Sequence, residues 1–219
     1  MPEPDPGVTQ RLAREALEAG DPTGWFDRLY TAADAGAAEV PWDRGEPHPL
    51  LAAWADRERP DGAGRSALVV GAGLGEDAEL VGRLGYATTA FDISATAVAA
   101  ARRRFPASPV TYRTADLLDP PPEWSRAFAF VFESMTVQSL PIALHAAAAA
   151  NVGAFVAPGG TLLVIATGRT DDAPEPDGPP WPLTRAELDG FTADGLELVR
   201  AEAIAGDLLR WRAELRRPG

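Results

Sequence analysis

The chain has 219 residues, 46% of them hydrophobic, enough for one domain with a sizeable core. Its net charge is −12 and all 20 basic residues are arginine, so the broad basic face that nucleic-acid binding requires is missing. Cysteine is absent and His48 and His145 are the only histidines, which excludes disulfides, a cysteine nucleophile and thiolate metal ligands and argues against a histidine-rich metal site.

The start, "MPEPDPGVTQRLAREALEAG", is acidic and amphipathic, without the positive start and apolar centre of a secretory signal. No apolar run approaches the roughly 18–20 residues of a membrane span. The expectation is a cytoplasmic protein with no membrane and no nucleic-acid partner. A helix is predicted from Thr9 to Ala19, broken by "GDPTG". The next stretch holds Trp25, Phe26, Tyr30, Trp42 and Trp54 among prolines and charges, and reads as helical pieces joined by a loop.

From Ser66 onward, apolar strands alternate with helical stretches. Strands are expected at Ala67–Val70, Ala87–Phe91, Val110–Arg113, Phe128–Glu133 and Thr161–Ala166. Helices are expected at Glu76–Leu84, from an N-cap at Ser94 to Phe105, and over the alanine-rich Ile142–Val156, which ends at "APGG". "GRTDDAPEPDGPPWP" is a loop by composition, and Thr184 with Glu187 three residues later forms a capping box. Leu196–Ile204 and Leu208–Leu215 read as a hairpin. The arginine clusters 102–104 and 216–217 read as solvated surface. Strand–helix alternation with a terminal hairpin gives a single α/β domain whose sheet is mostly parallel with an antiparallel edge.

In a doubly wound sheet, ligands bind beyond the carboxyl ends of the strands, so the first strand-to-helix turn is the place to look. There "ALVVGAGLGEDAEL" sets Gly71, Gly73 and Gly75 at alternate positions, letting the backbone bend tightly and approach a ligand closely. The following helix start favours an anionic group. A dinucleotide site would want a third glycine where Glu76 stands, and the spacing suits the adenosyl-methionine version of the turn better. "TTAFDIS" ends the second strand in Asp92, beside Ile93, where a carboxylate can accept from both ribose hydroxyls. "RTADLLD" places Asp116 past the third strand, positioned for an adenine amino group, with Leu117 beside the ring.

With these features in this order, the sequence resembles the class I S-adenosyl-L-methionine-dependent methyltransferases. The glycine turn, Asp92, Asp116, "FAFVFE" and "APGGTLLVIA" carry the likeness across residues 66–170. The acid that many members have two residues before the first glycine is here Val69. The branch of thiopurine S-methyltransferase-like small-molecule enzymes commonly has an apolar residue there, with an upstream Trp/Tyr segment and a motif matched by "PWDRGEPHP", Pro41 to Pro49. The resemblance implies a Rossmann-like, doubly wound, seven-stranded sheet with helices on both faces. It divides the single domain 1–219 into a lid segment, 1–62, and a core, 63–219.

It also implies S-adenosyl-L-methionine as methyl donor, S-adenosyl-L-homocysteine as product, and a small-molecule acceptor, with sulfur first and then oxygen or nitrogen. No metal is required, because the sulfonium is already a good leaving group. By the same likeness, Trp25, Tyr30 and Trp42 close over the donor, where their ring faces suit a cation–π contact of about 0.5–2 kcal/mol. They equally suit plain packing of the N-terminal helices on the sheet. Glu133, at the end of the fourth strand, is expected to face the reaction centre as a donor ligand, acceptor-orienting group or base, the alternative being a strand-end cap in water; His48 is the other candidate base, the alternative being a solvent-facing loop residue. Asp43 and Arg44 are expected to order the lid, Trp181 to form the far pocket wall, and His145 to be structural. The competing readings are an NAD(P)-dependent oxidoreductase and a non-catalytic cofactor-binding protein of the same fold.

Overall fold

The computed structural model describes residues 7–219; the first six residues of the acidic N-terminal stretch lie outside the described residues. Three helices come first, α1 (Val8–Glu18), α2 (Gly24–Asp34) and α3 (Pro49–Glu58). The alternating part follows: β1 (Ser66–Val70), α4 (Glu76–Arg83), β2 (Ala87–Asp92), α5 (Ala95–Arg104), β3 (Thr111–Thr114), β4 (Phe128–Ser134), α6 (Ile142–Ala154) and β5 (Val156–Thr167). The chain continues through α7 (Arg185–Asp189), β6 (Glu197–Ile204) and β7 (Arg210–Arg216).

The seven strands form one sheet in the order β3-β2-β1-β4-β5-β7-β6. The first five are parallel, while β7 pairs antiparallel with both β5 and β6. This is the expected mostly parallel, doubly wound sheet with a C-terminal antiparallel hairpin. Alternation along β1 explains how the centre of the sheet is covered on two faces. From β1, Ala67 and Val69 face a cluster with Leu51 and Trp54 of α3, Val81 of α4 and Val98 of α5. Leu68 and Val70 face the opposite cluster with Ala148 and Val152 of α6. Trp54 stacks on Phe130 at 5.1 Å between ring centroids, which fixes α3 to the sheet.

Local chemistry sets the boundaries. Ser94 caps α5, its hydroxyl accepting from the Ala97 N–H at 3.0 Å. Thr184 and Glu187 form the reciprocal capping box of α7. One boundary moves: "APGG" belongs to β5, and pairing with β4 jumps from Phe128↔Val156 to Phe130↔Thr161, so residues 157–160 bulge out of register.

The two arginine clusters are also not merely solvated surface. Arg102 donates to the Tyr112 carbonyl, Arg103 pairs with Asp34 of α2 at 2.5 Å, and Arg104 pairs with Asp43 at 3.2 Å and with Glu76. Arg217 is buried and donates to the carbonyls of Val156, Gly153 and Asp194. Arg102 and Arg217 supply donors to backbone carbonyls, while Arg103 and Arg104 pair with carboxylates of α2, the following loop and α4.

Candidate active site

The strand ends of β1 to β5 and the beginning of the antiparallel β7 share one edge of the sheet. Pairings of Val70 with Phe91 and Glu133, Asp92 with Thr114, Ser134 with Ile165, and Thr167 with Arg210 place them there. A cavity of about 380 Å³ runs along this edge, within the usual range for a small-molecule site. Trp25, Tyr30, Trp42, His48, Gly71, Gly73, Asp92, Ile93, Asp116 and Leu117 all line it.

The floor is the glycine turn. Gly71 and Gly73 have φ of +64° and +51°, the left-handed region that a side chain strains. A Cβ at Gly73 would lie 3.2 Å from the Tyr30 hydroxyl and 3.9 Å from the Trp42 indole nitrogen, so its bare face opens directly beneath the aromatics. Gly75 has a different task. It does not line the cavity, and a Cβ there would come within 2.5 Å of the Tyr112 hydroxyl and 3.2 Å of the Phe105 ring. Gly75 is bare so that α4 can start against α5 and β3.

Asp92 is tied to this turn. Its Oδ2 accepts from the Gly73 N–H and its Oδ1 from the Ser94 N–H, each at 2.9 Å. Burial raises its pKa to about 6, against the opposing effect of those two backbone donors. Asp116 Oδ1 accepts from the Leu118 N–H at 2.8 Å.

The roof comes from α2 and the loop after it. The Trp42 indole donates to the Tyr30 hydroxyl at 2.8 Å, and the Trp25 and Tyr30 rings meet Trp42 edge-on at 6.1 and 6.0 Å. Burial first, then the charge of Asp92, raises the Tyr30 pKa well above its ordinary value, so the phenol stays neutral. A residue that sequence reasoning passed over holds this roof in place. Asp27 accepts from the Ser94 hydroxyl at 2.6 Å and the Thr96 N–H at 3.1 Å, docking α2 on the start of α5. The signal available was an acid in the first turn of an aromatic-rich helix, with nothing in sequence to name its partner. Asp43 holds the loop to α5 through Arg104, while Arg44, expected to help order it, forms no ion pair among the described residues.

Two expected bases are placed otherwise. Glu133 does not line the cavity. It is fully buried, its Oε1 accepting from the Thr136 and Val137 N–H groups at 2.8 and 3.0 Å, and its Oε2 has no partner among the described residues. Burial raises its pKa to about 7. The carboxyl curls back to cap the turn after β4. His48 does line the cavity, but its Nδ1 accepts from the Leu50 N–H at 3.1 Å, capping α3. Burial, then the charges of Arg44 and Arg210, lowers its pKa to about 4, so near neutral pH the ring is uncharged with its proton on Nε2. With Nδ1 engaged, the remaining ring nitrogen is placed as a hydrogen-bond donor.

Trp181 is buried but does not line the cavity; its main-chain N–H donates to the Gln138 carbonyl at 2.7 Å, and Pro179 and Pro180 form the wall in its place. His145 is structural in its contacts, its ring held between Glu187 at 2.7 Å and the Leu140 carbonyl at 2.8 Å. The remaining lining includes Met135, Thr136, Gln138, Thr167 and Arg210, none singled out from the sequence. All but Gln138 lie at or just beyond a strand end on the cavity edge. The strand-end rule would have found Met135, Thr136 and Thr167, and the antiparallel turn of β7 would have found Arg210. Met135 has φ +62°, unusual for a residue with a side chain, at the point where the chain leaves β4 for the cavity wall.

Residues 67–160 match the family described as "Methyltransferase domain". No curated protein matches the chain. Among solved structures, one from work on the conversion of a disulfide bond into a thioacetal group during echinomycin biosynthesis has a TM-score of 0.70 and 25% identity, covering 88% of this chain and 93% of that one. Geranyl diphosphate C-methyltransferase from Streptomyces coelicolor A3(2), in complex with Mg2+, geranyl diphosphate and S-adenosyl-L-homocysteine, has a TM-score of 0.64 and 14% identity over 77% of this chain and 80% of that one. The glycopeptide N-methyltransferase MtfA has a TM-score of 0.62 and 17% identity over 79% and 97%. The domain match and the fold support a methyltransferase enzyme with S-adenosyl-L-methionine as its cofactor. The oxidoreductase alternative is not favoured: Glu76 fills the third-glycine position and is engaged by Arg104.

The residues present fit that cofactor. The bare face of Gly73 and the carboxylate of Asp92 adjoin one another on the floor. The buried Trp25 indole N–H has no partner among the described residues and lines the same cavity, a donor free for an anionic end group. No described helix is long and apolar enough to cross a membrane.

Proposed function

We propose that this protein transfers a methyl group from S-adenosyl-L-methionine to a heteroatom of a small molecule, sulfur first and oxygen or nitrogen after it. The observation that carries this reading is the Asp92–Gly73 contact at 2.9 Å, made directly beneath Tyr30 and Trp42. In this reading, Gly71 and Gly73 admit the donor's methionine portion and the Trp25 N–H receives its carboxylate. Asp92 accepts from the ribose hydroxyls, while Ile93, Asp116 and Leu117 hold the adenine. The bound donor supplies an electrophilic methyl on a sulfonium that leaves as a neutral thioether.

The chain's own part is to position the acceptor and exclude water, which is worth up to about 7–11 kcal/mol where alignment is good. The absence of a base at the two positions considered for it supports sulfur. A thiol, with a pKa of about 8.5, is roughly a few per cent ionised at neutral pH and strongly nucleophilic in that form, whereas an alcohol forgoes the roughly 10²–10⁴-fold that a base supplies. The similarity to the structure from the disulfide-to-thioacetal work supports the same preference. Pro41, Trp42, Asp43, Arg44, Glu46 and His48 of the upstream motif line the cavity, which supports a thiopurine S-methyltransferase-like branch with residues 1–62 as lid to a single domain. Its place of work is proposed to be the cytoplasm.

The test has two steps. Calorimetric titration with S-adenosyl-L-homocysteine should give a dissociation constant in the micromolar range; no binding below about millimolar removes the donor site. Labelled donor incubated with matched thiols, amines and phenols then reads the acceptor atom. Thiol turnover at least ~10-fold above the others is the expected result, and donor binding without turnover would favour a non-catalytic cofactor-binding protein.

A further inference from the structure

The cavity has two ends, set by the order of the strands. Asp92 and Asp116 follow β2 and β3, on one side of β1. Thr167 and Arg210 end β5 and begin β7, on the other side, beyond β4. The first end holds the residues assigned above to the adenosyl group. The second end contains Arg210, Arg44 and His48, all lining the cavity.

The charge balance at this second end is unusual. Among the described residues, neither Arg44 nor Arg210 has a carboxylate within ion-pair distance; Arg44 is exposed and near enough to Asp77 to act against the burial that raises that acid's pKa, and Arg210 Nη1 donates to the adjacent Leu209 carbonyl at 3.4 Å. Asp43 and Glu76 are held by Arg104, and Asp77 accepts from the His48 main-chain N–H at 2.6 Å. Glu46 lines the same wall and is exposed. Arg44 and Arg210 lie close enough that Arg44 lowers the Arg210 pKa, after burial, and both act against protonation of His48. His48 is 4% exposed, and its Nε2 is buried without a partner. With Nδ1 accepting from Leu50, that nitrogen carries the proton. Two guanidiniums without an ion-pair partner among the described residues and a buried, unanswered N–H donor belong to residues lining one cavity, and each can be satisfied by the same kind of group.

Resting on the methyl-transfer reading, we infer that Arg44, His48 and Arg210 bind a carboxylate carried by the methyl acceptor. A carboxylate has two oxygens, so it can take a guanidinium fork and the Nε2 proton together, which a single ionised sulfur cannot. Held at the β5–β7 end, this group leaves the nucleophilic atom of the acceptor directed toward the glycine turn. The acceptor is therefore a carboxylic acid that also bears the methylated heteroatom.

The two histidines make this directly readable, since His145 sits in α6 against Glu187 and serves as an internal control. The protein is saturated with S-adenosyl-L-homocysteine, then titrated with 4-mercaptobenzoate or with neutral 4-mercaptobenzamide. Binding is followed by calorimetry and by the imidazole nitrogen resonances. The benzoate should bind at least ~10-fold tighter and shift the His48 Nε2–H resonance while His145 stays still. Arg210→Gln should abolish the preference while retaining S-adenosyl-L-homocysteine affinity, and Arg44→Gln should reduce it. Equal affinity for the two probes, or no His48 shift at ~50 mM benzoate, overturns the carboxylate assignment. Loss of S-adenosyl-L-homocysteine binding in the unmodified protein would instead overturn the methyl-transfer reading on which it rests.

Discussion

Asp92 and Gly73 are bound carboxylate to backbone N–H at 2.9 Å, so the acid at the end of the second strand shapes the turn at the end of the first. The same carboxylate also holds the Ser94 N–H. The residue assigned to the ribose is thus part of the floor itself. This adds a structural cost to any substitution there.

Asp92→Asn should raise the dissociation constant of S-adenosyl-L-homocysteine at least ~10-fold by calorimetry. Asp92→Ala should add a stability loss of about 1–3 kcal/mol in urea denaturation, because two buried N–H groups lose their acceptor. The raised pKa, about 6, sets a pH dependence as well. Below it the carboxyl holds a proton and no longer accepts from both hydroxyls, so affinity should fall as pH drops through about 6. Unchanged affinity in Asp92→Asn would remove the ribose assignment.

The glycines separate binding from packing. Gly75→Ala drives a Cβ toward Tyr112 and Phe105 at φ +103°, and should cost about 2–3 kcal/mol of stability. Gly73→Ala also carries strain at φ +51°, but its nearest atom is the Tyr30 hydroxyl at 3.2 Å, so its stability cost should be smaller than that of Gly75→Ala and its larger loss donor affinity. Melting curves and calorimetry on both variants check the division; equal losses of donor affinity would contradict it.

Glu133 makes the fold sensitive to alkali. Its folded pKa, about 7, lies above the ordinary 4.5, so the folded state binds the proton more tightly than the unfolded chain. Stability from this group is complete below about pH 4.5 and is lost as pH rises through about 7. Glu133→Gln keeps an acceptor for the Thr136 and Val137 N–H groups and removes the buried charge. It should be more stable than the parent by about 1–3 kcal/mol at pH 8.5 and no more stable at pH 4.5, read by urea denaturation. Parallel stability curves for the two proteins would refute this.

His48 should stay uncharged well below the pH at which free histidine titrates. Its folded pKa of about 4 is below the ordinary 6.5, so its contribution to stability is present above about 6.5 and is lost as pH falls toward 4. Imidazole resonances followed from pH 8 to 4.5 should show no His48 midpoint near 6.5. A midpoint there would restore the ring as a base for the acceptor.

Much of this was readable from residue order. The strands at 67–70 and 128–133, the cap at Ser94 and the box at Thr184–Glu187 follow from apolar runs and local capping chemistry, and local chemistry survives folding unchanged. What sequence did not supply was direction. Glu133 stands at a strand end, where acids commonly meet ligands, yet it turns inward because two backbone N–H groups after β4 need an acceptor. Gly75 belongs to a ligand-like pattern but answers to Tyr112, 37 residues away in sequence. Arg210 could be placed at the cavity only once the antiparallel course of β7 was known.

That course has a consequence for how the molecule comes into being. The strand made seventh lies sixth across the sheet, with an earlier neighbour on either hand. Until residues 210–216 emerge from synthesis, the gap between β5 and β6 stays open and long-range pairing is delayed. The same seven residues deliver Arg210 to the rim, so the moment at which the sheet becomes whole is also the moment at which the wall proposed to hold the acceptor first exists.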